Sequence, residues 1–303
     1  MKRMQINPYL ILAVGVISVS TSAIFVKVSS ASAGVIAFYR LLFTVLLMLP
    51  IFIVKYVEEL KLISKKDWFF SILSGVFLAF HFILWFESLN YTSVASSTVL
   101  VTLQPLFAFV GTYIFFKESF SFMAILSGLI AIAGSIIISW GDFRISGAAL
   151  FGDLLALVAC ALITAYLLVG QEVRKRLSLM TYTFVVYSIS TLVLFFYVIF
   201  SVEKLYPYPP IDWVYFLLLA IIPTILGHTL FNWSLEWLST STISMAILFE
   251  PVGAIILAYF ILGEKLIFTQ VIGGIVVIGG LALFLVDERK RKMTLSNKMK
   301  GTI

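Results

Sequence analysis

Glu250 precedes Pro251 about halfway along an apolar run near residues 240–262. A carboxylate at that depth in a membrane costs about 2.5–3.5 kcal/mol on insertion scales, so it is expected to face a cavity or carry a proton. Pro251 lacks an N–H and frees a carbonyl one turn earlier, which makes backbone oxygens available near the midplane. The alternative is a neutral Glu that only satisfies a broken helix. Gln104-Pro105 is an uncharged version of the same device. Arg40 stands roughly 10 Å into a second apolar run. A guanidinium there can grip a carboxylate or phosphate with two bonds, pair with Glu250, or snorkel to the headgroups. His81 and His228, the only histidines, also lie inside apolar runs. Each can shuttle a proton near neutral pH or serve as a hydrogen-bonded packing residue. Tyr113 and Tyr259 can stack a flat substrate or sit in interfacial belts, and for Trp85 and Trp233 the belt is preferred. Ser18, Ser20, Thr21 and Ser22 suit close helix packing more than a pathway. Cys160, the single cysteine, reads as packing. No histidine, cysteine or acidic group has metal-ligand spacing, so neither metal nor cofactor is expected.

The elements that must position these residues are membrane helices. Of the 303 residues 61% are hydrophobic and 12% charged, about half the charge of a soluble domain. The mean hydropathy is +1.10. Apolar runs fall near 8–28, 34–54, 67–86, 94–116, 121–140, 152–170, 179–201, 213–233, 240–262 and 267–286. Each approaches the ~20 residues that span a hydrocarbon core as a helix. The runs are continuously apolar, which argues against barrel strands. The first is longer than the ~7–15 residues of a signal-peptide core, and is expected to be retained. After Val286 the sequence Asp-Glu-Arg-Lys-Arg-Lys reads as a mobile end.

The chain is duplicated. Residues from Ser88 to Gly134 match those from Ser234 to Gly280 without a gap, at an offset of 146. Pro105, Glu118, Gly128 and Gly134 correspond to Pro251, Glu264, Gly274 and Gly280. Glu118 and Glu264 are expected at opposite membrane faces, as gates or as helix-end caps. Five helices per copy is an odd number, so the copies enter the membrane in opposite directions. Such inverted repeats can expose a central site to one side and then the other. The small residues Ser127-Gly128 and Gly273-Gly274 mark close helix contact, within the fold or between the protomers of a homodimer.

The net charge of +6 has a topological origin. With the N-terminus inside, only Lys27, Arg144, Lys204 and Lys265 fall outside, and Arg40 lies within the membrane. That asymmetry places both termini in the cytoplasm of a multi-pass inner- or plasma-membrane protein. No basic stripe interleaved with aromatics appears, so nucleic acid is not an expected partner.

Ten helices in two five-helix repeats resemble the EamA-type branch of the drug/metabolite transporter superfamily. The motifs are Gln104-Pro105, Lys117-Glu118, Gly128 and Gly134, then Glu250-Pro251, Gly263-Glu264, Gly274 and Gly280, with Ala37-Phe38-Tyr39-Arg40 in the second helix. Two departures fall in the first repeat: Ser20-Thr21 replaces a common Trp-Gly, and Lys117 stands where glycine is usual. The resemblance implies repeats over residues 1–145 and 146–287, followed by a basic tail over 288–303. It implies export of small metabolites, amino acids among them, or of toxic compounds, by alternating access. An uncoupled facilitator or importer and a lipid-handling flippase are the alternatives. An enzyme is not expected, since no nucleophile elbow or His-Glu-x-x-His run is present. The expected partners are the lipid bilayer and a small-molecule substrate, with proton coupling open.

Overall fold

The computed structural model describes residues 7–92, 94–140, 147–263 and 267–300, and these contain no strand. Ten apolar helices account for the fold. They are α1 (Pro8–Val28), α2 (Ala33–Lys55), α3 (Lys65–Ser88), α4 (Ser96–Phe116), α5 (Phe122–Ser139), α6 (Gly147–Val173), α7 (Leu179–Phe200), α8 (Pro210–Ser234), α9 (Thr240–Ile261) and α10 (Phe268–Lys300). Side-chain caps start several of them. Asn7 accepts from Tyr9 N, Ser64 from Asp67 N, Ser121 from Ala124 N and Ser178 from Thr181 N. Each satisfies a backbone donor that the first turn leaves free. Three helices stop in the left-handed region, α7 at Val202 (φ 57°) and, at matching positions of the two repeats, α4 at Lys117 (φ 56°) and α9 at Gly263 (φ 68°). The matching positions are 146 apart, and glycine takes this conformation at lower cost than lysine. The stretch after Val286 is helical. α10 continues to Lys300, with Ser121 bonded to Asp287 and Arg291 to the Ser119 carbonyl, and Glu, Arg and Lys are good helix formers.

Four passes are irregular. α1 is interrupted at Ser20-Thr21, where both hydroxyls bond back to carbonyls of the preceding turn. α4 breaks between Val101 and Gln104, and α9 between Ile247 and Glu250. α8 widens into a π-helix over Ala220–His228, around Pro223. Proline removes a donor and clashes with the turn before it. The freed backbone is tolerated at this depth because protein, rather than lipid, surrounds it.

Helix pairing follows the duplication. α3 packs on α6, and its repeat image is α8 on α1; α4 on α6 is matched by α9 on α1, and α2 on α8 by α7 on α3. α2–α7, α5–α10 and α4–α9 are each their own image. These pairings therefore recur with the halves exchanged, as a two-fold axis requires, while α6 on α9 has no equal counterpart in α1 on α4. The odd helix count per half makes the repeat an inverted one. Small residues let α5 and α10 approach closely. A Cβ added at Gly134 would lie 2.7 Å from Val277 N, and one at Gly280 2.8 Å from Ala131 N. Large apolar side chains such as Val54, Phe69, Phe196 and Ile275 face outward, as a lipid solvent favours.

Candidate functional site

The breaks in α4 and α9 meet at the centre. Gln104 and Glu250 each open the second segment of a broken helix, where the aligned peptide dipoles favour negative charge. Both side chains line a closed cavity with Ser22, His81, Trp85 and His228. Val19, Val101, Ile163, Leu167, Phe231 and Ile247 complete its wall. The free space is ≈ 20 Å³, room for about one water. Its polar atoms are short of partners. Gln104 Oε1, Trp85 Nε1 and His228 Nδ1 are buried without a hydrogen bond. His81 Nδ1 lies 2.9 Å from the Ala159 carbonyl. A carbonyl only accepts, so Nδ1 carries the proton and the neutral ring leaves Nε2 as an acceptor. Buried polar atoms normally find partners, and several orphans around one void mark a place for a polar guest.

Arg40 lies beside this cavity but does not line it. It is fully buried, so it does not snorkel, and no ion pair joins it to Glu250. Nε donates to Thr224 Oγ1 at 2.8 Å and Nη1 to Ser22 Oγ at 2.9 Å. The guanidinium sits 4.2 Å from the Phe82 ring centroid, while Nη2 has no partner. Thr224 can serve because it lies in the π-turn of α8. Sequence reasoning missed its role, although Pro223 beside it signalled an irregular backbone. Trp85 was also placed elsewhere, in a belt, yet it is buried in the cavity wall.

The two tyrosines are not brought to the cavity. Tyr113 is 62% exposed on the outer side of α4, and Tyr259 is 47% exposed against Phe260. Pro105 and Pro251 are buried at the helix breaks. Glu118 follows the end of α4 and accepts from Gln171 Nε2 at 3.4 Å; the same amide accepts from Thr240 N at the start of α9. Glu264 lies outside the described residues.

The sequence matches the EamA-like transporter family over residues 7–140 and again over 150–286. The chain belongs to the EamA-like transporter family. An uncharacterized transporter from Archaeoglobus fulgidus is 26% identical over 289 residues, 92% of this chain and 98% of its own. The uncharacterized transporter YxxF of Bacillus subtilis is 27% identical over 228 residues, 75% of this chain and 72% of its own. A crystal structure at 15% identity superposes with a TM-score of 0.76 over 93% of this chain and 98% of that one, which establishes a common fold.

In this EamA-like transporter the cavity is sealed toward both faces. One face carries Lys117, Arg174, Lys175, Arg176 and Arg289 and is called the basic face below. Toward it, Thr112 on α4 bonds Ser241 on α9 at 2.7 Å, above vestibules of ≈ 420 and ≈ 440 Å³ that both border Glu118. Toward the opposite face lies a recess of ≈ 160 Å³, floored by Ile36, Phe86 and Leu89. No residue lines both the cavity and any of these openings. Loops tie the faces as well. On the basic face Glu59 accepts from Ser178 N, Ser178 Oγ and Thr181 Oγ1. Burial pushes its carboxyl upward, but these bonds outweigh that and hold it below the usual carboxylate range.

Proposed function

We propose that this protein exports small metabolites bearing a protonated amine, by alternating access, and exchanges them for protons at Glu250. The observation that carries the reading is the sealed central cavity, in which Glu250 stands beside Gln104, His228 and Trp85, whose polar atoms lack protein partners. Among the described residues Glu250 is the one formal charge in that wall. A carboxylate there binds an ammonium group or a proton, but not both, and that competition couples the two movements. Arg40 is a fixed positive charge outside the wall, held by Ser22 and Thr224, and it acts on the cavity through its field rather than by contact. The breaks in α4 and α9 supply main-chain polar groups at the midplane, as expected of a solute site built at a repeat interface. The Lys and Arg bias supports a cytoplasmic basic face, with substrate entering through its vestibules. A homodimer is compatible with this reading and not required by it.

A lipid path is less well supported. The groove of ≈ 690 Å³ between α4 and α5 opens sideways, is lined by residues such as Phe109, Tyr113 and Ile132, and shares no wall residue with the cavity. Headgroups would cross apolar surface there. The test is a metabolite-resolved uptake screen in proteoliposomes, with and without a pH gradient. Amine-bearing compounds moving against protons in wild type, and losing the gradient dependence in Glu250→Gln, support the reading. Transport with no pH response removes the coupling and leaves a facilitator; movement of lipid alone refutes the solute reading.

A further inference from the structure

The wall of the central cavity is drawn from α1, α3, α4, α6, α8 and α9. None of it comes from α2 or α7, which pair with each other across the two-fold. The bonds at the two ends of this pair are copies of one device. At the opposite face Ser32, the residue before α2, donates to Glu203 at 2.7 Å. At the basic face Ser178, the residue before α7, donates to Glu59 at 2.5 Å. Ser32 and Ser178 are 146 apart, the offset of the duplication. Two residues earlier a second tie repeats. Ser30 donates through N and Oγ to Asp212 at the start of α8, and Arg176 binds Asp67 at the start of α3 at 2.7 Å, so this tie joins each end of the pair to a cavity helix. The aromatic seam between the ends repeats too, with Phe38 tilted on Phe195 at 5.8 Å and Phe184 stacked on Phe52 at 3.9 Å. Phe38 and Phe184 are again 146 apart.

We propose that α2 and α7 form a rigid post, clamped at both ends by the duplicated Ser–Glu ties, and that both clamps stay closed while the six cavity helices move around it. The inference rests on the alternating-access reading above. Three features favour a post over a gate. A scissoring of α2 on α7 that opens one end strips a carboxylate of its hydrogen bonds, since Glu59 alone accepts three. Each carboxylate also sits at the start of a long helix, where the backbone dipole holds it. Near the opposite end the helices leave no slack, since a Cβ on Gly34 would lie 2.7 Å from Glu203 Oε2 and 2.7 Å from the Tyr197 ring. The Thr112–Ser241 contact between α4 and α9 is different in kind: it is neutral, with only a long bond of 3.4 Å from Ser241 to the Ala108 carbonyl beside it, Ser241 borders the vestibule, and it can break at small cost.

Pulsed electron-resonance distances on the full chain in liposomes test this, with Cys160→Ala as background. Nitroxide pairs at Lys55→Cys/Lys175→Cys and Ala31→Cys/Val202→Cys report the two ends of the post. A pair at Phe115→Cys/Ser239→Cys reports α4 against α9. At about pH 5.5 and about pH 8.5 both post pairs are expected to give one distance, constant within about 2 Å, while the α4–α9 pair gives two populations separated by about 5 Å or more. Glu59→Gln is then expected to broaden only the Lys55→Cys/Lys175→Cys distance. A second population at either end of the unmutated post overturns the proposal. A single fixed distance for the α4–α9 pair under all conditions overturns alternating access and the proposal with it. The two failures are told apart by which pair shows them.

Discussion

The seam between α5 and α10 separates two neighbouring glycines that look alike in the sequence. At Gly280 an added Cβ would lie 2.8 Å from Ala131 N and 2.9 Å from Ser127 O. Both obstacles are backbone, so only movement of a whole helix relieves the clash. At Gly279 an added Cβ meets nothing within 4 Å. Alanine in a helix is worth about 1 kcal/mol over glycine, and overpacking a tight contact costs about 1–3 kcal/mol. Gly279→Ala is therefore expected to stabilise by up to about 1 kcal/mol. Gly280→Ala is expected to destabilise by about 0–2 kcal/mol, the clash less the propensity gain. Gly134→Ala meets Val277 N and the Gly273 carbonyl in the symmetry-related contact and should behave like Gly280→Ala. The assay is built into the protein. Cys160 is the single cysteine and is fully buried, so a fluorogenic maleimide stays dark on the folded chain and lights on unfolding. A heating curve in mild detergent then ranks the variants. Equal or greater stability of Gly280→Ala relative to Gly279→Ala would refute the reasoning.

Lys117→Gly relieves a left-handed lysine where the other repeat has Gly263; it should stabilise by at most about 1 kcal/mol in the same heating assay, and a loss of stability would count against the strain. Arg40→Lys keeps the charge but forfeits the directed bonds to Thr224 and Ser22 and the contact with Phe82, so a loss of about 1–3 kcal/mol is expected on heating; an unchanged melting curve would show the fork to be dispensable. Glu59 has a depressed folded pKa, so its stabilisation is present above the unfolded carboxyl value and is lost as pH falls through the folded one. Wild type should therefore lose more stability than Glu59→Gln between about pH 6 and about pH 3, and parallel curves would exclude a contribution from Glu59. Glu250→Gln should fold normally and transport without response to a pH gradient, which the proteoliposome assay reads directly.

The passes were legible because a continuous apolar run of about 20 residues has few alternatives. Their pairing was legible in part, since a gapless offset of 146 and an odd helix count imply an inverted repeat. Gln104, Glu250, His81 and His228 were picked out because polar groups inside such runs are costly, and the cavity brings all four together. Facing was not legible. In helices that are apolar all round no polar stripe marks the inward face, and packing shows that Tyr113 and Tyr259 point outward. The place of Trp85 in the cavity wall and the hold of Thr224 on Arg40 depend on contacts between helices far apart in the chain. The clamp residues were readable in principle, because Ser32 and Ser178 keep the repeat offset. They lie upstream of the stretch where the copies align without a gap, and so carried no visible pattern.

The seal between α4 and α9 is not shared by the two halves. Positions 146 away from Thr112 and Ser241 are Ala258 and Ala95, which carry no hydroxyl. Two identical inverted copies have no preferred orientation, because exchanging the copies turns one facing state into the other at equal energy. Any bias must come from positions where the copies differ. One net hydrogen bond on one side is worth about 1 kcal/mol, or roughly a fivefold population ratio. The resting orientation of this protein is thus written in its unmatched side chains, and swapping Thr112 and Ser241 for their alanine counterparts would shift the balance between the two facing states by about that ratio.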